Sequence, residues 1–507
     1  VGRPALSIHL ARSSYKLDTH WPPQFLRRDT NVIVYFNFKL LRDKLLSKCN
    51  RIALPSRQFW GLLITLVILF FTGGSSRGDV QSLAILNPAM IICCGTALLT
   101  IRREHWAERK WLGGAVGLVF VLVLIYIASP PVHLGVYSRG LANAANVRAA
   151  ANVSGASETL GMLPLVGFQS VFFLFAPLAV ILFAVQLGRE DLQLVLPVLI
   201  VLGAISGIVG VLQLAGSTSG SLYFYDITNN GSAVGLFANR NHASVFLACL
   251  FPMLAIFASR SHATHRGGRN RRQLMAATIA IVLIPLILVT GSRSGMLAAI
   301  IGLIGGLILY VPRGQAHRGP KIGIPSMLML ASALVACLVF ATVYFSRAEA
   351  IERIFAENGT ANDRTDLWIS GATLFWQYFP FGFGPGSFVP AFQADEPVAL
   401  LSDTYLNRLH NDWLETGLTY GAPGMLLMLG GVCYYFWRCF HLWFRQDGTR
   451  TSVALGRMAS VVIAILAVAS LSDYPLRTPA MIGFAILVSL WFIGALPERR
   501  SALETAG

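Results

Sequence analysis

LQLVLPVLIVLGAISGIVGVLQL, residues 192–214, runs for twenty-three residues without a charged side chain. Coiled as a helix at about 1.5 Å per residue, it reaches across the roughly 30 Å of hydrocarbon in a bilayer. No water is present there to satisfy a broken backbone, so a helix is the natural solution for such a run. The stretch has companions on both sides, bounded by charge or by Gly/Pro/Ser clusters. The spans read from the sequence are 58–72, 83–101, 111–128, 170–187, 192–214, 243–259, 274–290, 296–311, 326–345, 422–437, 458–472 and 479–495. Composition agrees. Of 507 residues, 55% are hydrophobic and 13% charged, against roughly 25% charged in soluble domains, and the mean hydropathy is +0.61. The expected fold class is all-α: a polytopic membrane protein with about 12 transmembrane helices and a long periplasmic loop containing short helices.

The net charge of +16 raises the question of nucleic acid, and its distribution answers it. With the N-terminus placed inside, the segments 1–57, 102–110, 188–191, 260–273, 312–325, 438–457 and the tail from 496 hold 30 of the 40 Lys and Arg residues. Arg260, Arg266, Arg269, Arg271 and Arg272 form the densest run. Basic residues gathered on one side of many spans mark the cytoplasmic side, aided by anionic lipid; no nucleic-acid partner is implied. Both termini are thus expected on the cytoplasmic side of the membrane. Residues 1–57 read as a basic cytoplasmic tail, largely disordered or lying on the membrane surface. Their apolar runs are too short and too broken by charge for a cleavable signal peptide. Residues 58–495 form one membrane domain, capped outside by the periplasmic loop 346–421, and 496–507 form a second cytoplasmic tail. Cys93, Cys94, Cys249, Cys337 and Cys433 lie in apolar runs, and Cys49 and Cys439 in basic inner segments. They read as buried small hydrophobes rather than as disulfides or metal ligands.

On the outer side all ten basic residues are arginine: Arg77, Arg139, Arg148, Arg240, Arg293, Arg347, Arg353, Arg364, Arg408 and Arg477. A planar five-donor guanidinium suits phosphate better than a mobile ammonium does. The loop 346–421 is too long for a mere turn. Leu367, Trp368, Ala372, Phe375, Trp376 and Phe379 recur in it at helical spacing and predict an interfacial helix. The glycine-rich turn Gly382-Phe383-Gly384-Pro385-Gly386 follows Pro380. A second helical stretch is expected through Leu406, Leu409, Trp413 and Leu414.

Four polar clusters gather at this face. Asn239, Arg240, Asn241 and His242 precede the sixth span, where helix N–H groups favour an anion; simple N-capping by Asn241 with an interfacial Arg240 reads equally from the same residues. Thr290-Gly-Ser-Arg-Ser-Gly295 joins two spans by a tight turn with Arg293 at its tip, and Ser292 or Ser294 suits the following helix as a cap. Asp363-Arg-Thr-Asp-Leu-Trp368 offers Arg364 as a phosphate ligand or as a solvated partner of Asp366, and the glycines after it also serve to reverse the chain. Leu409-His-Asn-Asp-Trp-Leu-Glu415 carries His410, an imidazole able to take a proton from a hydroxyl, with Asp412 or Glu415 to orient it.

Taken in this order, the clusters resemble the O-antigen ligase and polymerase family of bacterial inner-membrane glycan-joining enzymes, over roughly 160–495. The carrying residues are the Asn-Arg-Asn-His stretch, the Ser-Arg turn at Arg293, Arg364 with Trp368, Pro380 through Phe388, and His410-Asn411 with Leu414. The resemblance implies a metal-independent, inverting glycosyltransferase without a cofactor. Its donor is a glycan on undecaprenyl pyrophosphate, and its acceptor a sugar hydroxyl, on lipid A–core for a ligase or on a growing glycan for a polymerase. Catalytic roles fall to His410, Arg293 and Arg364, and diphosphate or glycan binding to Arg240, Asn239, Asn241, His242, Ser292, Trp368, Asn411 and Asp412. Ligase is the first reading and O-antigen or exopolysaccharide polymerase the second. A transporter of lipid-linked glycans or solutes is the rival of another class, but the spans hold few of the midplane ionisable groups that transporters use.

Overall fold

A computed structural model describes residues 55–107, 110–128, 138–150, 164–217, 220–259, 266–310, 359–397, 406–446 and 451–494. The expected tails 1–57 (save its last three residues) and 496–507, and the ninth span 326–345, lie outside the described residues.

The described chain is all-α, with α1 (Arg57–Thr72), α2 (Leu83–Thr100), α3 (Arg103–Ala107), α4 (Lys110–Ala128), α5 (Arg139–Ala150), α6 (Pro164–Ala184), α7 (Arg189–Ala215) and α8 (Arg240–Ser259) in its first half. There follow α9 (Arg266–Val289), α10 (Arg293–Leu309), α11 (Gly359–Tyr378), α12 (Phe388–Ala394), α13 (Asp412–Phe440), α14 (Thr451–Ala469) and α15 (Pro479–Ile493). Six helices are long and apolar enough to cross a membrane, and five shorter apolar helices coincide with the remaining described spans. This is a multi-pass membrane protein. Leu99, Leu307, Leu426 and Phe436 stand exposed on the helix surfaces; such a coat suits lipid, not water.

α8 is the central post. From His242 to Ala258 all but one residue is buried, as befits a helix with no lipid-facing side. α10 lies directly against it because glycines line the seam. A Cβ on Gly302 would come within 2.6 Å of the Ala248 carbonyl oxygen, and one on Gly306 within 3.2 Å of that of Phe251. This four-residue glycine spacing lets two helix backbones approach closely. The consequence is local to function: the seam brings the N-terminus of α10, with its Ser292-Arg293 turn, beside the N-terminus of α8.

α13 begins ten residues before the expected span and is broken at Gly421 (φ 55°, ψ −141°), just ahead of Pro423. The break frees carbonyl groups that must find donors. The glycine-rich turn supplies them: Phe383 N–H donates to the Leu418 oxygen at 3.0 Å and Gly384 N–H to that of Thr419 at 2.9 Å, while Ala422 N–H donates to Pro380 at 2.7 Å. Gly382, at φ 80°, would press a Cβ to 2.6 Å from both the Leu418 and Thr419 oxygens. Tyr126 Oη of α4 also donates here, lying 2.5 Å from the Phe381 oxygen and 2.8 Å from that of Tyr420. The N–H groups of Phe383 and Gly384 are therefore spent on a kinked helix, which favours the chain-reversing account of this turn.

α11 forms over the stretch where helical spacing was expected. Leu367, Leu374 and Tyr378 pack inward against Phe383, Phe388, Phe392, Leu409 and Leu418, while Ile369, Trp376 and Phe379 face outward. The expected second helical stretch starts later than its periodicity suggests. Residues 406–409 are not helical, because His410 takes a left-handed backbone (φ 56°) and Asn411 an extended one.

Candidate active site

Four segments remote in sequence meet at one end of the helices: the residues after α1, the N-terminus of α8, residues 406–412 leading into α13, and the connection from α14 to α15. Backbone bonds fix the junctions. Ala480 N–H donates to the Gly73 oxygen (2.9 Å), Ala238 N–H to that of Gly74 (3.1 Å), and Asp412 N–H to that of Ser470 (2.9 Å).

Asp473 stands at the centre, fully buried. His242 Nε2 and His410 Nδ1 each lie 3.6 Å from the same oxygen, Oδ1, which also accepts the Tyr474 N–H at 2.9 Å. Burial by itself would raise the carboxyl, but the two imidazoles outweigh it and hold Asp473 well below the usual carboxylate range. The side chain is therefore ionised at any physiological pH. The Tyr474 ring sits edge-on to both histidines, with centroids 5.0 Å from His242 and 4.8 Å from His410. Burial, then the Asp473 charge, push its hydroxyl upward, so it stays protonated.

A second layer of charge holds His410 in place. Arg477 Nε donates to Asp412 Oδ1 at 2.9 Å, and Ser470 Oγ donates to Oδ2 at 3.1 Å. Glu415, 1% exposed, accepts from Arg408 Nη1 (3.0 Å) and from the Leu409 N–H (3.1 Å), with Arg477 Nη1 at 3.8 Å. Arg408 also ties the segment to the end of α1 by donating to the Ser76 oxygen at 3.2 Å. Burial opposes the Arg477 charge, but Glu415 and Asp412 more than offset it and keep the guanidinium charged. Asp412 and Glu415 thus face the guanidiniums of Arg477 and Arg408. A left-handed non-glycine backbone costs about 1–3 kcal/mol and persists only where its surroundings dictate it; for His410 these pairings and the Asn411 cap do so.

The sequence-predicted residues fall as follows. His242, His410 and Asp412 converge. Asn239 is the cap of α8, its Oδ1 accepting the Asn241 N–H at 2.8 Å, and its side chain reaches the Tyr474 hydroxyl; the capping assigned to Asn241 is thus made by Asn239. Asn411 caps α13 through the Leu414 N–H (3.0 Å), and Ser292 caps α10 through the Gly295 N–H (2.9 Å). Arg293 is exposed at the turn tip. Arg240 reaches the same turn, with Nη1 3.8 Å from where a Cβ on Gly291 would sit. Trp368 packs against the apolar cluster beneath α11, its indole N–H buried without a hydrogen-bond partner. Arg364 lies on α11, and its side chain is outside the described residues.

Sequence reading looked to Asp412 or Glu415 to orient His410. Both carboxylates are taken up by arginines, and the one that faces His410 is Asp473. The available signal was an aspartate in a short connection between two apolar runs, Ser472-Asp473-Tyr474-Pro475.

Residues 276–429 match the model of the O-antigen ligase family. The expected family resemblance holds. No curated protein matches the chain. The ligase-family segment contains the Arg293 turn, α11, the glycine-rich turn and His410, and is narrower than the 160–495 over which the motifs were read. His242 and Asp473 fall outside it, so the buried cluster is completed by helices on either side of the matched segment. The match covers less than half of the chain and is a similarity of that segment to the family; the described chain as a whole is a multi-pass membrane protein.

Proposed function

We propose that the chain is an inner-membrane glycosyltransferase that moves a glycan from undecaprenyl pyrophosphate to a sugar hydroxyl at the periplasmic face, as an O-antigen ligase with lipid A–core as acceptor. The observation that carries this reading is His410 set against the buried Asp473 carboxylate, at the same end of the helices as the Arg240 and Arg293 turns. With Nδ1 turned to Asp473, His410 Nε2 is the nitrogen left to accept a proton. The side chain is 27% exposed, enough for an acceptor hydroxyl to reach it. The gap of 3.6 Å exceeds a hydrogen bond, and such pairs often tighten only with substrate bound.

The step balances as a direct displacement. The acceptor oxygen bonds to the anomeric carbon, its proton passes to His410 Nε2, and the bond from that carbon to the phosphate oxygen breaks. The electron pair leaves with the diphosphate. Charge gathers there in the transition state, and preorganised arginines stabilise it. Arg293 and Arg240, at the N-termini of α10 and α8, suit this task because the helix dipoles add positive potential; Arg364 joins them by the resemblance. One displacement without a protein nucleophile inverts the anomeric centre, and no metal ion takes part in this reading.

Glycan transfer in vesicles tests it, with wild type set against His410→Ala and Arg293→Ala at matched protein levels. Loss of a general base or of a charge-stabilising donor removes about two to four orders of magnitude. Transfer by both variants at the wild-type rate would overturn the assignment. In a deletion strain, full-length glycan accumulates on the lipid carrier; single repeat units there would turn the reading to a polymerase.

A further inference from the structure

The two histidines on Asp473 are not equivalent. His410 is partly open, whereas His242 is 1% exposed, with both ring nitrogens buried and neither hydrogen-bonded. A closed imidazole cannot ligate a diphosphate, the role its motif suggests. Its nearest charged neighbour is Asp473 Oδ1, the oxygen that His410 also faces. It sits in the first turn of α8, the most enclosed of the described membrane-spanning helices, while His410 hangs on the left-handed turn before α13. The Tyr474 ring packs edge-on against both. Buried polar groups normally find partners, and among the described residues the ion-pair partner of this imidazole is Asp473, so the ring is placed to serve that carboxylate.

We propose that His242 is a positioning residue: it acts on His410 through Asp473, anchoring the shared oxygen to the rigid α8, and does not touch substrate. This rests on the functional reading above but makes a claim about the chain that is measurable without it. Nε2 is the nitrogen that faces Asp473, so a substitute must reach as far as Nε2. A glutamine amide does; an asparagine amide, matching only Nδ1, does not.

Full-length protein carrying His242→Asn or His242→Gln is compared with wild type in detergent. In glycan transfer, H242N lowers kcat by about ten- to a hundredfold, the usual cost of losing an orienting partner, while KM for the lipid-linked donor stays within about twofold, and H242Q recovers most of the rate. Independently of any glycan, carbethoxylation of His410 by diethyl pyrocarbonate, followed by mass spectrometry, slows in H242N and is restored in H242Q. A donor KM that rises while kcat holds would make His242 a substrate ligand and overturn the proposal. So would equal His410 labelling in all three proteins, or a glutamine no better than asparagine in a protein that still melts as wild type does. If the labelling pattern appears but no lipid-linked glycan is transferred by wild type, the positioning role stands and the functional reading falls.

Discussion

Replacing Asp473 with asparagine keeps the shape of the side chain and removes its charge, which makes it the sharpest probe of the site. When His410 takes a proton in the transition state, it becomes a cation 3.6 Å from Asp473 Oδ1. At an effective dielectric of about 20, unit charges at that separation attract by about 5 kcal/mol. At roughly 1.4 kcal/mol per decade, that corresponds to a fall in kcat of about three orders of magnitude for Asp473→Asn. The loss belongs to the transition state, so KM for the donor stays near wild type. The assay is single-turnover transfer from a lipid-linked glycan to acceptor in detergent, with protein amount and melting temperature matched. A variant that melts like wild type and retains a rate within threefold of it would refute the reasoning, since His410 would then be working without this carboxylate.

Two further outcomes follow from the scaffold around that pair. Glu415→Gln strips one charge from the buried network and leaves Arg408 and Arg477 with a single carboxylate between them; both arginines are 22% exposed, so water softens the loss. The expected destabilisation sits at the low end of the roughly 3–5 kcal/mol for breaking a buried pair, read by denaturant or thermal melting, and transfer falls with it as Leu409 loses its anchor. Gly421→Ala forces a side chain onto a left-handed residue and drives its Cβ into the Pro380 carbonyl; a stability loss of about 2 kcal/mol or more is expected, with protease cleavage in the glycine-rich turn as the local readout.

The sequence alone determined the membrane character of this chain, and the reason is local. Whether a segment crosses a bilayer depends on its own length and hydropathy, so residues 192–214 announce a span without any neighbour, and the expected spans recur as helices wherever the chain is described. Caps are local too, and Ser292 was legible as one. His410 stood out in the sequence because His410-Asn411 with Leu414 resembles a family pattern. What the tertiary structure decided is which charges face one another. Asp473 carries no periodicity and stands in a short connection between α14 and α15, and it acquires meaning only when α8, α13 and α15 bring their ends together. Asp412 and Glu415, closer to His410 in sequence, point instead to Arg477 and Arg408. Coulomb and hydrogen-bond energies depend on distances through space, and helix packing such as the Gly302–Gly306 seam on α8 sets those distances after the spans have formed.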